Sequence, residues 1–255
     1  MEQSIRSSTL LPSASWEMNM NKKNKIFFIV TGLVPVLGIL TWPPDTMLLI
    51  YTIFVVALLF RERLTGAIAK IQLSARWKFL FLMIVSGLLA EILAWTSSYL
   101  AREAQPALLH PQLIPDLILG MGFYGGWAVA WLVAHRFWHF TLFQVFLATG
   151  LSGIWVEQGG VVLKNFVQGF FMDSFSALYG VFYIVIVYGS IAGLAYLSVK
   201  DDLNRLDRSN SFLKYPVVWV LLFFLAQMTT GIVIILADFL KLIPETRLIW
   251  EHPFF

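Results

Sequence analysis

The sequence predicts an all-α fold: a polytopic membrane helix bundle of seven transmembrane helices, with the N-terminus in the cytoplasm and the C-terminus outside. Of the 255 residues, 58% are hydrophobic and 13% are charged, and the mean hydropathy is +0.75. Soluble domains carry roughly 25% charged residues, so this composition indicates a chain surrounded by lipid. The apolar runs show no period-two alternation, which favours helices over a β-barrel, because a helix satisfies its own backbone polar groups.

Seven apolar segments come close to the roughly 17–25 residues that a helix needs to cross a bilayer. The segments are 26–42, 46–60, 79–99, 117–134, 140–156, 175–199 and 217–237. The second follows Trp42-Pro43-Pro44-Asp45, a predicted tight turn, because proline lacks an N–H and disfavours helix in the preceding residue. We therefore expect residues 20–255 to form a single transmembrane domain.

The first 19 residues are polar and rich in serine, and we expect them to be a disordered tail. A basic run at 22–25 directly precedes the first apolar segment, so a start of translation at Met20 is an alternative to Met1. No small-x-small cleavage site precedes Trp42, and the first segment is therefore expected to stay as a helix.

Basic residues predict the orientation, because Lys and Arg are retained on the cytoplasmic side of a membrane. With the N-terminus inside, only Arg102, Lys164, Lys241 and Arg247 of the 18 Lys and Arg residues lie outside. The expected location is a plasma (inner) membrane. The expected partners are the lipid bilayer, anionic lipid headgroups on the cytoplasmic side and other membrane proteins, but not nucleic acid.

Two connecting segments are expected to lie along the membrane surface. In 61–77, Leu64, Ile68 and Ile71 share one face, which is typical of a basic helix on anionic lipid; an ordinary positive-inside loop is the alternative. The segment 161–171 is expected either to lie along the outer surface or to re-enter the membrane.

Glu91 is the acid that lies deepest in a predicted membrane segment. An ionised carboxylate in hydrocarbon is costly, so this side chain is expected to face a partner, a cavity or water, or to be protonated. Asp45, Glu157 and Asp238 lie at the outer ends of other segments, where the helix dipole disfavours an acid by roughly 0.3–1 kcal/mol. We therefore expect a cation, a basic partner or a proton at these carboxylates.

We predict that these acids line an outward-facing polar cavity. Its lining would be Glu91, Glu157, Gln158 and Asp238, and its rim would hold Asp116, Asp173 and His110. Gly87 shares a helix face with Glu91, and Gln227 and Gly231 share one with Asp238, which is typical of a bundle interior. In the alternative interpretation the acids at the helix ends only balance the positive-inside bias, and Glu91 is a satisfied carboxyl between helices.

On the cytoplasmic side, His135, Arg136 and His139 form a predicted interface. If the helix continues there, the two imidazoles lie on one face and suit a metal, a haem or a lipid headgroup; the alternative is an interfacial belt of aromatic and basic residues. Di-iron membrane enzymes need more histidines than the four present, and the absence of cysteine excludes thiolate ligands and disulfides. The sequence assigns no metal or cofactor.

Small residues recur every four positions at Gly122, Gly126, Ala130 and Ala134, and also at Gly189 and Gly193. We expect them to pack helices closely, with a substrate path as the alternative.

Three functions fit the sequence. The first is a non-catalytic assembly, scaffold or regulatory membrane subunit, which the 16% aromatic content and sparse intramembrane polar groups favour. The second is a membrane-embedded enzyme that acts on a lipid or isoprenoid substrate, with Glu91 and Glu157 as acid and base. The third is a proton- or cation-coupled transporter using Glu91, although seven helices without a visible repeat differ from the usual inverted-repeat construction. No nucleotide-binding motif indicates an ATP-driven role.

Overall fold

Helices and short connections make up the part of the chain that the structure describes. A computed structural model describes residues 22–156, 160–170, 173–203 and 211–255, and no strand occurs within them. Its helices are α1 (Lys22–Gly38), α2 (Leu49–Leu59), α3 (Arg61–Ala69), α4 (Ala75–Ala101), α5 (Leu113–Phe137), α6 (Leu142–Val156), α7 (Val161–Gly169), α8 (Ser174–Leu197), α9 (Lys200–Leu203) and α10 (Lys214–Phe239). The predicted tail, 1–19, lies outside the described residues.

Every predicted apolar segment coincides with a helix. Four helices, α4, α5, α8 and α10, are long and apolar enough to cross a membrane. The segments 26–42, 46–60 and 140–156 correspond to the shorter apolar helices α1, α2 and α6. The chain is therefore all-helical, as predicted, and consistent with a membrane protein.

The helix α5 occupies the centre of the bundle. It packs against α10 on one side and α4 on the other, and both α4 and α6 pack against α8. It is the most buried of the four long helices.

Gly122 and Gly126 bring α5 and α10 together. A Cβ at position 126 would lie 2.5 Å from the carbonyl oxygen of Leu225 and 2.7 Å from Cα of Ala226, so only glycine permits this approach. Across the same contact, the Thr229 hydroxyl donates to the Gly122 carbonyl oxygen at 2.6 Å. The predicted packing role of these two glycines is confirmed.

The glycines of α8 have a different role, because they make room for aromatic rings. A Cβ at Gly189 would lie 2.9 Å from the Phe146 ring of α6, and one at Gly193 would lie 2.7 Å from the Phe54 ring of α2. These contacts attach α2 and α6 to the same helix.

The predicted inward face of the last segment is wrong. Gln227 and Asp238 are exposed, and Gly231 is half-buried. The buried residues of α10 are Lys214, Val218, Leu222, Ala226, Thr230 and Ala237. The helix is apolar around most of its circumference, so the polarity of its residues does not show which face turns toward the bundle interior. The small side chains that fit against the two glycines of α5 determine which face turns inward.

The two ends of the bundle differ in their side chains. The basic end, where α4 and α10 begin, holds Lys78 and Lys214, and there Arg61 forms a salt bridge with Asp201 at 3.2 Å. At the opposite end, where α4 and α10 finish, the C-terminal tail (residues 242–255) folds over the start of α5. We call this the capped end.

The two predicted surface segments contain helices. In α3, Ile68 is buried while Arg63 is exposed, and Lys70 follows the helix as another exposed residue. The helix α7 packs against α8. Their location at a membrane surface stays a prediction.

Candidate functional site: a carboxyl pair with a tyrosine

Glu91 contacts a tyrosine of the neighbouring helix. It lies on α4 and is half-buried. The hydroxyl of Tyr124, on α5, donates a hydrogen bond to its Oε1 at 2.6 Å. The Tyr124 ring is only 2% exposed, so the hydroxyl is held in place by packing. A short hydrogen bond to a carboxyl group is among the stronger kinds in proteins.

A glycine creates the space for this contact. A Cβ at Gly87, one turn before Glu91, would collide with the Tyr124 ring, so a larger side chain there would displace the tyrosine. A Cβ at Gly120 would lie 3.4 Å from Cγ of Glu91 and 3.7 Å from the Tyr124 ring, which is ordinary van der Waals contact.

Asp116 supplies a second carboxyl group. It lies in the first turn of α5 and is fully buried. Its Oδ1 accepts a hydrogen bond from the backbone N–H of His110 at 3.0 Å. Its Oδ2 accepts none from the described donors, yet its carboxyl interacts with that of Glu91. Two carboxylates are both acceptors, so this contact becomes a hydrogen bond only when one of them carries a proton.

The capped end holds the start of α5 in place. The first N–H groups of a helix have no partners within it. Here the N–H of Leu113 donates to the Pro253 carbonyl oxygen at 3.0 Å, and that of Ile114 donates to Phe254 at 3.2 Å. The Phe254 ring also stacks on Trp95 of α4, with centroids 6.1 Å apart.

A short loop joins this tail to Asp116. The side-chain amide of Gln112 donates to the Arg247 carbonyl oxygen at 2.9 Å. The His110 Nε2 lies 3.3 Å from the carbonyl oxygen of Pro244, and the Gln112 backbone N–H donates to its Nδ1 at 3.1 Å. These contacts identify the neutral imidazole with its proton on Nε2.

The imidazole of His110 is 4% exposed. Burial lowers its pKa from the ordinary value of 6.5, and the hydrogen bond that Nε2 donates to the Pro244 carbonyl oxygen opposes that effect. The contacts at the capped end therefore favour the neutral form of the His110 imidazole.

The other predicted acids lie away from this cluster. Asp238 is exposed at the end of α10, and Asp173 caps the N-terminus of α8 by accepting from the Ser176 N–H at 3.1 Å. Asp45 accepts from the Met47 N–H at 3.0 Å and from the Tyr183 hydroxyl at 3.1 Å. Glu157 and Gln158 lie outside the described residues.

At the basic end, His135 is buried rather than interfacial. It is 2% exposed and stacks on the Tyr196 ring at 4.9 Å, with the rings of Trp131 and Phe140 beside it. The helix ends at Phe137, so His135 and His139 do not share one helix face.

Arg136 and His139 are exposed. The described residues contain no group of three or more His, Asp or Glu side chains that suits a metal ion.

Tyr124 was missed from the sequence, and Asp116 was expected only at the rim. The glycine at position 87, one turn from Glu91, was the available signal, because a glycine facing a neighbouring helix leaves room for a ring. The identity of that ring depends on how α4 and α5 are placed.

Surface cavities occur among the described residues. One, of about 540 Å³, lies between the loop around Pro106 and the tail around Arg247. Another, of about 280 Å³, lies between Phe166 and Tyr183.

Comparisons with protein-family models, curated proteins and solved structures found no match.

Proposed function

We propose that the chain crosses the membrane seven times, with its N-terminus in the cytoplasm, and that the basic end faces the cytoplasm. The lysines and arginines around α3, α9 and the start of α10 support this orientation. Anionic lipid headgroups are the partners that this end would attract, with a plasma (inner) membrane as the location.

We propose further that the protein is a membrane-embedded enzyme that performs acid–base chemistry on a lipid-soluble substrate, such as a lipid or an isoprenoid. The observation that carries this proposal is the 2.6 Å hydrogen bond from Tyr124 to Glu91, together with the interaction of the Glu91 carboxyl with the buried Asp116 carboxyl. Buried ionisable groups within membrane helices are costly, and most such groups serve a function. A carboxyl pair that holds one proton supplies both an acid and a base.

Each member of the cluster has a distinct proposed role. Glu91 is half-buried and can reach a substrate, so it is the group that donates and accepts the proton. Asp116 is fully buried and stabilises either charge state of Glu91. Tyr124 orients the Glu91 carboxyl. Asp116 replaces Glu157 as the second carboxyl group of the predicted acid–base pair.

The opposite half of the bundle favours an enzyme over a transporter. A transporter needs access from both sides of its site. Between the cluster and the basic end, α5 carries Trp127 and Trp131, both fully buried, and Tyr196 and Phe79 fill the adjoining core. This dense packing supports a site that opens on one side only.

Replacing Glu91 by glutamine tests the proposal, because the amide keeps the shape of the side chain but cannot exchange a proton. We expect Glu91→Gln to keep the unfolding temperature in detergent within a few degrees and to change the lipid extract of cells as deletion of the protein does, by mass spectrometry. Asp238→Asn, an exposed carboxyl removed from the cluster, is the matched control and should leave both unchanged. A folded Glu91→Gln protein with a wild-type lipid extract would sink the enzyme proposal.

A non-catalytic assembly or regulatory subunit is the second candidate, which the exposed amide on α10 favours. This second candidate predicts that Glu91→Gln leaves the phenotype of the cell unchanged. Variants on the outer surface of α10 should change that phenotype.

A further inference from the structure

The outer surface of α10 carries an amide where a helix facing lipid is ordinarily apolar. Gln227 lies near the middle of this 26-residue helix, and its side chain is exposed. It makes no hydrogen bond with a residue that the structure describes. An amide in hydrocarbon is costly without a partner, so its position indicates that something covers it.

A gap lies one turn further along the same face. A Cβ at Gly231 would meet nothing within 4 Å, whereas the Cβ positions at Gly122 and Gly126 are filled by neighbouring atoms of α10. Glycines at helix contacts let two backbones approach closely. No described residue fills the Cβ position of Gly231, so a helix of another molecule can approach it closely.

Apolar side chains extend this surface in both directions. Val220, Phe224 and Ile234 are 55%, 64% and 46% exposed, and they recur at three- and four-residue spacing with Gln227 and Gly231. We call these five residues the outward α10 face. Residues at such spacing form one stripe along a helix.

We propose that the outward α10 face binds a second copy of this chain, forming a dimer with its two-fold axis along the membrane normal. Two copies in one membrane have the same orientation, so the two Gln227 side chains lie at the same depth. A primary amide both donates and accepts, and a two-fold axis therefore lets each Gln227 satisfy the other. Gly231 lets the two helices approach closely enough for that contact.

Lipid is a poor alternative occupant, because acyl chains offer no donor or acceptor at mid-membrane depth. The proposed dimer does not depend on Glu91, which lies at the contact of α4 and α5.

Cross-linking tests the interface directly, because the chain has no cysteine of its own. In membranes treated with a mild oxidant, Phe224→Cys should give a product of twice the 29.0 kDa chain. Phe223→Cys is the matched control, since this exposed neighbour points about 100° away and should give little product. Equal cross-linking at both positions, no product at 224, or a product with another protein would overturn the proposal.

Two further variants test the chemistry of the contact. Gln227→Leu removes the amide and Gly231→Val fills the gap, and each should weaken dimerisation in lipid by roughly 3- to 20-fold, as interhelical hydrogen bonds and close packing do in membranes. Gly125→Val on α5 is the control, because a Cβ there also meets nothing within 4 Å. Single-molecule photobleaching in nanodiscs or vesicles measures the dimer fraction. Unchanged dimerisation in both variants, or an equal loss in the control, would contradict the proposal.

Discussion

The two ends of the bundle satisfy their buried polar side chains in different ways. At the basic end, Lys214 is 2% exposed, and its Nζ donates to the His139 carbonyl oxygen at 3.0 Å and to Gln144 at 3.2 Å. It also lies 4.9 Å from the centre of the Phe140 ring. At the capped end the Glu91 carboxyl accepts a hydrogen bond from Tyr124 and interacts with the Asp116 carboxyl. The cation thus has acceptors that do not depend on pH, whereas the carboxyl pair needs a proton.

This difference distinguishes side chains that stabilise the fold from side chains that can take part in a reaction. A charge held by carbonyl oxygens and ring faces contributes to one fixed arrangement. A pair of acids changes its hydrogen bonding whenever it gains or loses a proton. Variants at the basic end should therefore affect stability alone, and variants at the capped end should affect function beyond any change in stability.

The largest effect is expected at Trp131. Its ring is fully buried between His135 and Phe140, and its Nε1 donates to the Thr149 hydroxyl at 3.1 Å. Trp131→Ala should lower the free energy of unfolding by about 3–5 kcal/mol through the cavity that it leaves. Unfolding in detergent measures the loss. A loss below about 1 kcal/mol would mean that the aromatic core does not support the basic end.

A matched pair of hydroxyl deletions gives the sharpest contrast. Tyr124→Phe removes the hydrogen bond to Glu91, and Tyr196→Phe removes a 2.6 Å hydrogen bond to the Phe140 carbonyl oxygen at the basic end. Both should lower the free energy of unfolding by about 1–2 kcal/mol, because each leaves an acceptor within the bundle without that donor. Only Tyr124→Phe should change the lipid extract of cells. Equal functional losses in the two variants would remove the distinction between the ends.

The smallest predicted effect is a pH dependence of the contact between the C-terminal tail and the start of α5. The pKa of His110 is lowered in the folded protein, so its contribution to stability is complete above its ordinary value of 6.5 and declines as the pH falls through the lower folded value. We expect the amides of Leu113 and Ile114, which donate to the tail, to exchange hydrogen faster, relative to the intrinsic rate, at pH 5 than at pH 7.

Two variants isolate the responsible group. The docked tail carries a second imidazole, His252, whose Nε2 lies 3.3 Å from the Arg247 guanidinium. His110→Gln should abolish the pH dependence and His252→Gln should preserve it. The reverse result would assign the titration to the tail.

The sequence was sufficient to predict helices but not their contacts. Each apolar segment became a helix because length and composition dictate that outcome in lipid. Glu91 was recognisable as costly from its surroundings in the chain. Its partners were not, because Tyr124 comes from another helix and reaches it only through the space at Gly87.

The error on α10 has the same origin. Gln227, Gly231 and Asp238 do share one face, but the sequence does not say which way that face turns. Side-chain volume decides this, since Ala226 and Thr230 fit against the glycines of α5. The interface predicted at residues 135–139 was wrong for His135 for a similar reason. The helix ends at Phe137, and His135 lies in the aromatic core instead of facing the surface.

The central claim is that one proton joins the carboxyl groups of Glu91 and Asp116. Infrared difference spectroscopy of the purified protein in lipid vesicles tests it, because a protonated carboxyl group has a carbonyl stretch that a carboxylate lacks. We expect this band at pH 7 in the wild-type protein, with its loss or shift in both Glu91→Gln and Asp116→Asn, and no change in Asp238→Asn. A wild-type spectrum with no such band at pH 7, or a band unaffected by either cluster variant, would contradict the account.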